Sequence, residues 1–118
     1  MLLVEDNEDA AVAMSMSLEF LGYDVTHAAP LREAVAVDTR ETFDVVVSDL
    51  GLPDGSGLEL RPTLSTRAPL IALSGFGSAA DVARSMAAGF VAHLVKPADP
   101  DDLHATIGHV LMQSTASA

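Results

Sequence analysis

The chain has 118 residues, 49% of them hydrophobic, no cysteine, and a formal net charge of −11. That length suits one domain with its own core, and that hydrophobic share excludes a disordered chain. The lack of cysteine excludes disulfides and thiolate metal sites, while 17 acids against 6 Lys and Arg repel phosphate backbones, so nucleic acid is not expected as a direct partner.

No apolar run reaches the roughly 18–20 residues that span a bilayer, and no signal-peptide pattern opens the chain. Membrane insertion of this segment is therefore not expected, and the expected location is the cytoplasm. Leu2 follows Met1 at once as the start of an apolar run, which suits a domain cut from a longer chain.

Leu2-Leu3-Val4 reads as a first strand, stopped by Glu5-Asp6. Asn7 is a good helix N-cap, and Glu8 and Asp9 complement the helix dipole behind it. Ala11, Met14, Leu18 and Leu21 recur at helical spacing, with Gly22 placed to end the helix. Tyr23 to His27 reads as the second strand. Pro30 fits the first turn of a second helix with Leu31, Ala34 and Val35 as its apolar stripe.

Val45-Val46-Val47 is a continuous β-branched run, the pattern of a strand buried on both faces, and it ends at Ser48-Asp49. Gly51, Pro53, Gly55 and Gly57 predict a loop. A short helix from about Leu58 is limited by Pro62. Leu70 to Leu73 is a fourth strand ending at Ser74-Gly75. Ser78 with Asp81 resembles a capping box, and Gly89 closes the helix it opens. Phe90 to Val95 is the fifth strand, ending at Lys96-Pro97. Asp99 and Pro100 open the last helix, striped by Leu103, Ile107, Val110 and Leu111. The 113–118 tail lacks periodicity and is expected to be frayed or disordered, leaving 1–112 as the domain.

Strands alternating with helices predict an α/β fold, a doubly wound parallel sheet with helices on both faces. Right-handed crossovers put all strand C-termini on one edge, where ligands bind. Glu5, Asp6, Asp49, Ser74 and Lys96 all fall there. Acids without cysteine or a histidine pair suit Mg²⁺ or Mn²⁺, and a lysine facing them offers a counter-charge for phosphate. Taken singly, each acid could be a solvated loop charge or cap, Lys96 a surface charge, and Ser74 a turn residue. The set is more specific than any member.

These residues, in this order and spacing, resemble the receiver domain of bacterial two-component response regulators. The resemblance covers nearly the whole chain. It is carried by Leu2 to Asn7, by Val45 to Asp49 with Pro53 and Gly57, by Ala72 to Gly75, and by His93 to Pro97. It implies a CheY-like, flavodoxin-like (βα)5 sheet of strand order 2-1-3-4-5. It also implies a phosphoryl switch rather than a free-standing enzyme, fed by a histidine kinase or histidine phosphotransfer domain. Asp49 would be the phosphoacceptor. Asp6 and Asp49 would bind Mg²⁺ directly, Glu5 through water, and Gly51 through its backbone carbonyl. Lys96 would pair with the phosphate, and Ser74 would close onto it.

His93 stands where the family often carries an aromatic switch residue; it reads equally as a half-buried strand histidine. The His93 to Pro97 string looks like receivers of hybrid histidine kinases. Self-association is expected through the face formed by the helix after Ser78, the strand Phe90 to Val95 and the last helix. His27, His104 and His109 show no partner pattern and read as surface or helix residues. The stretch from Gly57 to Pro69 is short for the family. Gly51 and Phe76 occupy the positions through which the family tunes self-hydrolysis. Two further readings are a pseudo-receiver that binds a partner without phosphorylation and a metal-dependent phosphohydrolase. The first would be marked by a missing site residue, and none is missing; the second lacks an acid at Gly51.

Overall fold

The computed structural model describes residues 1–5, 7–28, 43–52, 55–56, 68–75, 78–96 and 99–116. The expected second helix at Pro30, the short segment around Pro62, and Asp6, Pro53, Gly57, Phe76 and Pro97 lie outside the described residues.

Five strands form one parallel sheet. They are β1 (Leu2–Val4), β2 (Thr26–Ala28), β3 (Val46–Asp49), β6 (Leu70–Ser74) and β7 (Phe90–Val95). A separate antiparallel pair, β4 (Gly51–Leu52) and β5 (Gly55–Ser56), sits between β3 and β6 in sequence. The sheet order is β2-β1-β3-β6-β7, the expected 2-1-3-4-5 arrangement of parallel strands. Within the predicted loop after Asp49, Gly51–Leu52 and Gly55–Ser56 pair as an antiparallel hairpin, with Gly51 opposite Ser56.

The continuous apolar runs are explained by burial on both sheet faces. Leu2, Val4, Val46, Leu70 and Ala72 pack into one core cluster, and Leu3, Val47, Ile71 and Leu73 into the other. The period-2 alternation of a strand therefore feeds two cores at once. The second cluster is completed by Leu18 of α1 (Glu8–Phe20) and by Leu103, Ile107 and Val110 of α3 (Pro100–Ala116). Each fully buried Leu or Ile there contributes about 1.5–3 kcal/mol of transfer free energy.

Helix α1 begins where Asn7 Oδ1 accepts the Ala10 N–H at 3.0 Å. It ends in a Schellman arrangement: Tyr23 N–H donates to Leu18 O, Gly22 N–H donates to Glu19 O, and Gly22 has φ +101°. This ending corrects the second strand. Tyr23 is taken up by the helix stop and packs on the core cluster that holds Leu18, so β2 starts only at Thr26. The Ala11 and Leu18 face is buried as expected, but Val12, Met16 and Phe20 point to solvent.

Helix α2 (Ala79–Ala87) starts at the Ser78 cap, whose Oγ accepts the Asp81 N–H, and Gly89 follows it with φ +104°. Helix α3 starts beside Asp99, whose carboxylate accepts the Asp101 N–H at 2.8 Å. It runs to Ala116, so 113–116 continue the helix where a frayed tail was expected. No Gly or Pro follows Gly108 to stop it. Among the described residues no helix is long and apolar enough to cross a membrane.

Candidate functional site

The strand ends are in register at one edge. Val4 pairs with Ser48, Asp49 with Leu73, and Ser74 with Val95. Glu5, Asp49, Ser74 and Lys96 therefore arrive side by side from four adjacent strands. The buried apolar strands beneath leave these polar residues no alternative position without shifting a whole strand by one residue, which would turn its core face outward.

Lys96 joins the two acids. Its Nζ donates to Glu5 Oε2 at 2.7 Å and to Asp49 Oδ2 at 2.9 Å. The two carboxylates are well screened from water, with 4% and 13% of their side chains exposed, while the lysine is 32% exposed. Burial pushes the Lys96 ammonium down, but the hydrogen bonds and charges of Glu5 and Asp49 outweigh it and hold Lys96 above its ordinary value. Lys96 is therefore the cation that lets two acids share one low-dielectric corner.

The surrounding backbone fixes this corner. The Asn7 N–H donates to Glu5 Oε1 at 3.1 Å. The Ser48 hydroxyl donates to Asp49 O at 2.9 Å, and the Lys96 N–H donates to Ser74 O at 2.7 Å. Ser74 is buried at the end of β6. Gly51 lies two residues past Asp49 in the hairpin. Asp6 falls outside the described residues. Among the described residues no group of three or more Asp, Glu, His or Cys forms a cation site. The donors present are nonetheless hard oxygens without a soft ligand, and two of them are buried carboxylates, which fits Mg²⁺ or Mn²⁺.

His93 engages helix α2. Its Nδ1 stands 2.9 Å from the fully buried Ser85 Oγ, which also lies 2.8 Å from Val82 O. The serine has one proton and the carbonyl can only accept, so the arrangement that satisfies both has Ser85 donating to Val82 O and His93 Nδ1–H donating to Ser85.

Two histidines read as partnerless turn out to be engaged. His104 Nδ1 is 2.6 Å from Tyr23 Oη, tying α3 to the end of α1. His27 Nε2 is 2.6 Å from the backbone oxygen of Glu5. No local pattern announces His27; only the pairing of β2 with β1 brings it beside the acidic edge.

Residues 1–108 match the family model of the response regulator receiver domain. The chain is 32% identical over 101 residues to the response regulator protein PilR of Pseudomonas aeruginosa, covering 83% of this chain and 23% of PilR. Among solved structures it resembles a CheY-like response regulator receiver domain protein from Methanospirillum hungatei, with TM-score 0.86 and 31% identity over 99% of this chain and 96% of that one. It also resembles a response regulator from Burkholderia pseudomallei described with a phosphorylated aspartic acid, calcium ion and citrate. There the TM-score is 0.82 and the identity 28%, over 98% and 70% of the two chains. The chain spans about a quarter to about a half of the length of the curated relatives it matches. These relatives are response and transcriptional regulators, so the hybrid-kinase attribution of the His93 to Pro97 string finds no support in them.

Proposed function

The chain belongs to the response regulator receiver family, and from that premise we propose that Asp49 accepts a phosphoryl group from the phosphohistidine of a histidine kinase or phosphotransfer domain. The observation that carries this reading is Lys96 holding Glu5 and Asp49 together at the strand-end edge. An aspartate neutralised by a neighbouring cation can approach an anionic phosphoryl donor, and positioning with charge stabilisation is most of what phosphoryl transfer requires. A phosphorylated aspartic acid in the similar Burkholderia protein supports the same assignment.

An Asp49 carboxylate oxygen forms the new bond to phosphorus as the bond from phosphorus to the histidine nitrogen breaks, and the freed imidazole takes up a proton. Lys96 then faces a phosphoryl oxygen. Ser74, one position beyond the register partner of Asp49, offers its hydroxyl to the added group. Glu5, Asp6, Asp49 and the Gly51 carbonyl would hold Mg²⁺ or Mn²⁺, Glu5 through a water. When bound, that ion supplies charge neutralisation and orients the phosphoryl oxygens. The acyl phosphate adds roughly one to two negative charges, which biases Ser74, His93 and the α2 face.

The domain acts as a switch rather than a free-standing enzyme, in the cytoplasm. Self-association uses the α2–β7–α3 face. Val91 and Val95 of β7 and Met86 of α2, each about half exposed, support that surface.

The test is incubation with a small acyl phosphate, with intact mass as the readout. One phosphoryl adduct that needs Mg²⁺ and is missing in Asp49→Asn supports the proposal. An unchanged mass at saturating donor and Mg²⁺ refutes it.

A further inference from the structure

Glu5 is buried, and a buried backbone carbonyl needs a donor. Its donor is a side chain from another strand: His27 Nε2, at 2.6 Å. His27 sits on β2 opposite Leu3 of β1, two residues before Glu5. Glu5 is thereby held at three points by three parts of the chain. Its carbonyl meets His27, its Oε1 meets the Asn7 N–H at the start of α1, and its Oε2 meets Lys96 after β7.

We propose that His27 is a positioning residue for the cation-binding corner, fixing the backbone from which the Glu5 carboxylate projects. The proposal rests on the metal reading of the site given above. A carbonyl has no proton, so His27 must donate through Nε2–H. Both the neutral Nε2–H tautomer and the imidazolium do this, so the brace does not depend on the charge of the ring. Groups that orient ligands from behind are worth about 10–100-fold in metal affinity, and a donor that fixes a ligand's main chain acts in the same way. Lys96 cannot replace it, because it holds only the tip of the side chain. A Glu has one more rotatable bond than an Asp, which leaves its carboxylate dependent on where the backbone stands.

The test uses Mn²⁺ as the probe, with binding to the whole chain followed by electron paramagnetic resonance and metal-free melting recorded in parallel. His27→Leu removes the donor; His27→Gln restores an N–H at similar reach. The expected result is a Mn²⁺ dissociation constant raised about tenfold in His27→Leu and largely recovered in His27→Gln, with His27→Leu melting somewhat lower than the parent because the Glu5 carbonyl loses its donor, but remaining fully folded at the assay temperature. Parent-like affinity in a folded His27→Leu overturns the proposal, as does equal weakening in both variants. A parent chain that binds no Mn²⁺ overturns the metal reading of the site and this proposal together, whereas the other outcomes leave that reading standing.

Discussion

The Lys96 ammonium donates to Asp49 Oδ2 at 2.9 Å, across 47 residues of sequence. Only the β3-β6-β7 order makes that contact, since each residue lies at or just past the C-terminal end of its own strand. Replacing Lys96 by Met removes the ammonium that donates to both Asp49 and Glu5. Phosphoryl uptake from a small acyl phosphate should then slow about a hundredfold, the scale of losing one charge-stabilising donor. Single-turnover kinetics with circular dichroism as the folding control reads this directly. An unaltered rate in a folded Lys96→Met chain removes Lys96 from the transfer step.

The same contact sets an alkaline limit on stability. The folded state holds the Lys96 proton more tightly than the unfolded chain does. Its stabilisation is therefore fully present below the ordinary lysine value of 10.5 and is lost as pH rises through the raised folded value. Melting temperatures taken from about pH 9 to 12 should fall more steeply in the parent than in Lys96→Met. Parallel curves would show that the pair contributes no linkage.

Helix α2 depends on its first turn. Ser78 accepts the Asp81 N–H and donates to the Asp81 carboxylate at 2.6 Å, while Arg84 also reaches that carboxylate. The Ser78 hydrogen bond, followed by Arg84, lowers the Asp81 carboxyl below its ordinary 3.8. Whatever this contributes is present above 3.8 and is lost as pH falls through the lowered value. Ser78→Ala should cost about 1 kcal/mol in urea unfolding near neutral pH. A cost indistinguishable from zero would mean that the helix starts without its cap.

The fold and most of this site were legible because the signals were local. Continuous apolar runs marked strands buried on both faces, and the polar residue ending each run had to lie at the shared edge. Asn7, Gly22, Ser78 and Gly89 punctuate the helices as capping chemistry requires. What escaped was non-local. Tyr23 looked like a strand residue because its aromatic ring suits a strand, but the Schellman turn around Gly22 claimed its N–H. His27 carries no motif; its meaning comes from pairing with β1 and from the carbonyl of Glu5. The end of α3 was misplaced because Gln, Ser and Thr lack apolar periodicity, although they do not break a helix.

His93 and Ser85 give a spectroscopic test of the β7–α2 contact. Because Ser85 also bonds Val82 O, neutral His93 should be the Nδ1–H tautomer. Nitrogen-15 shifts of the imidazole report the tautomer. Ser85→Ala should shift the ring toward Nε2–H, and a parent already in that form would contradict the assigned direction of the bond.

The residue that takes up the phosphoryl group decides whether Asp49 is the acceptor. After reaction with a small acyl phosphate and Mg²⁺, borohydride reduction converts an aspartyl phosphate to homoserine, which peptide sequencing by mass spectrometry can place. Homoserine at position 49 alone is the predicted result. Homoserine at another aspartate, or a stable phosphoryl group on Ser74 or a histidine with Asp49 intact, would contradict it.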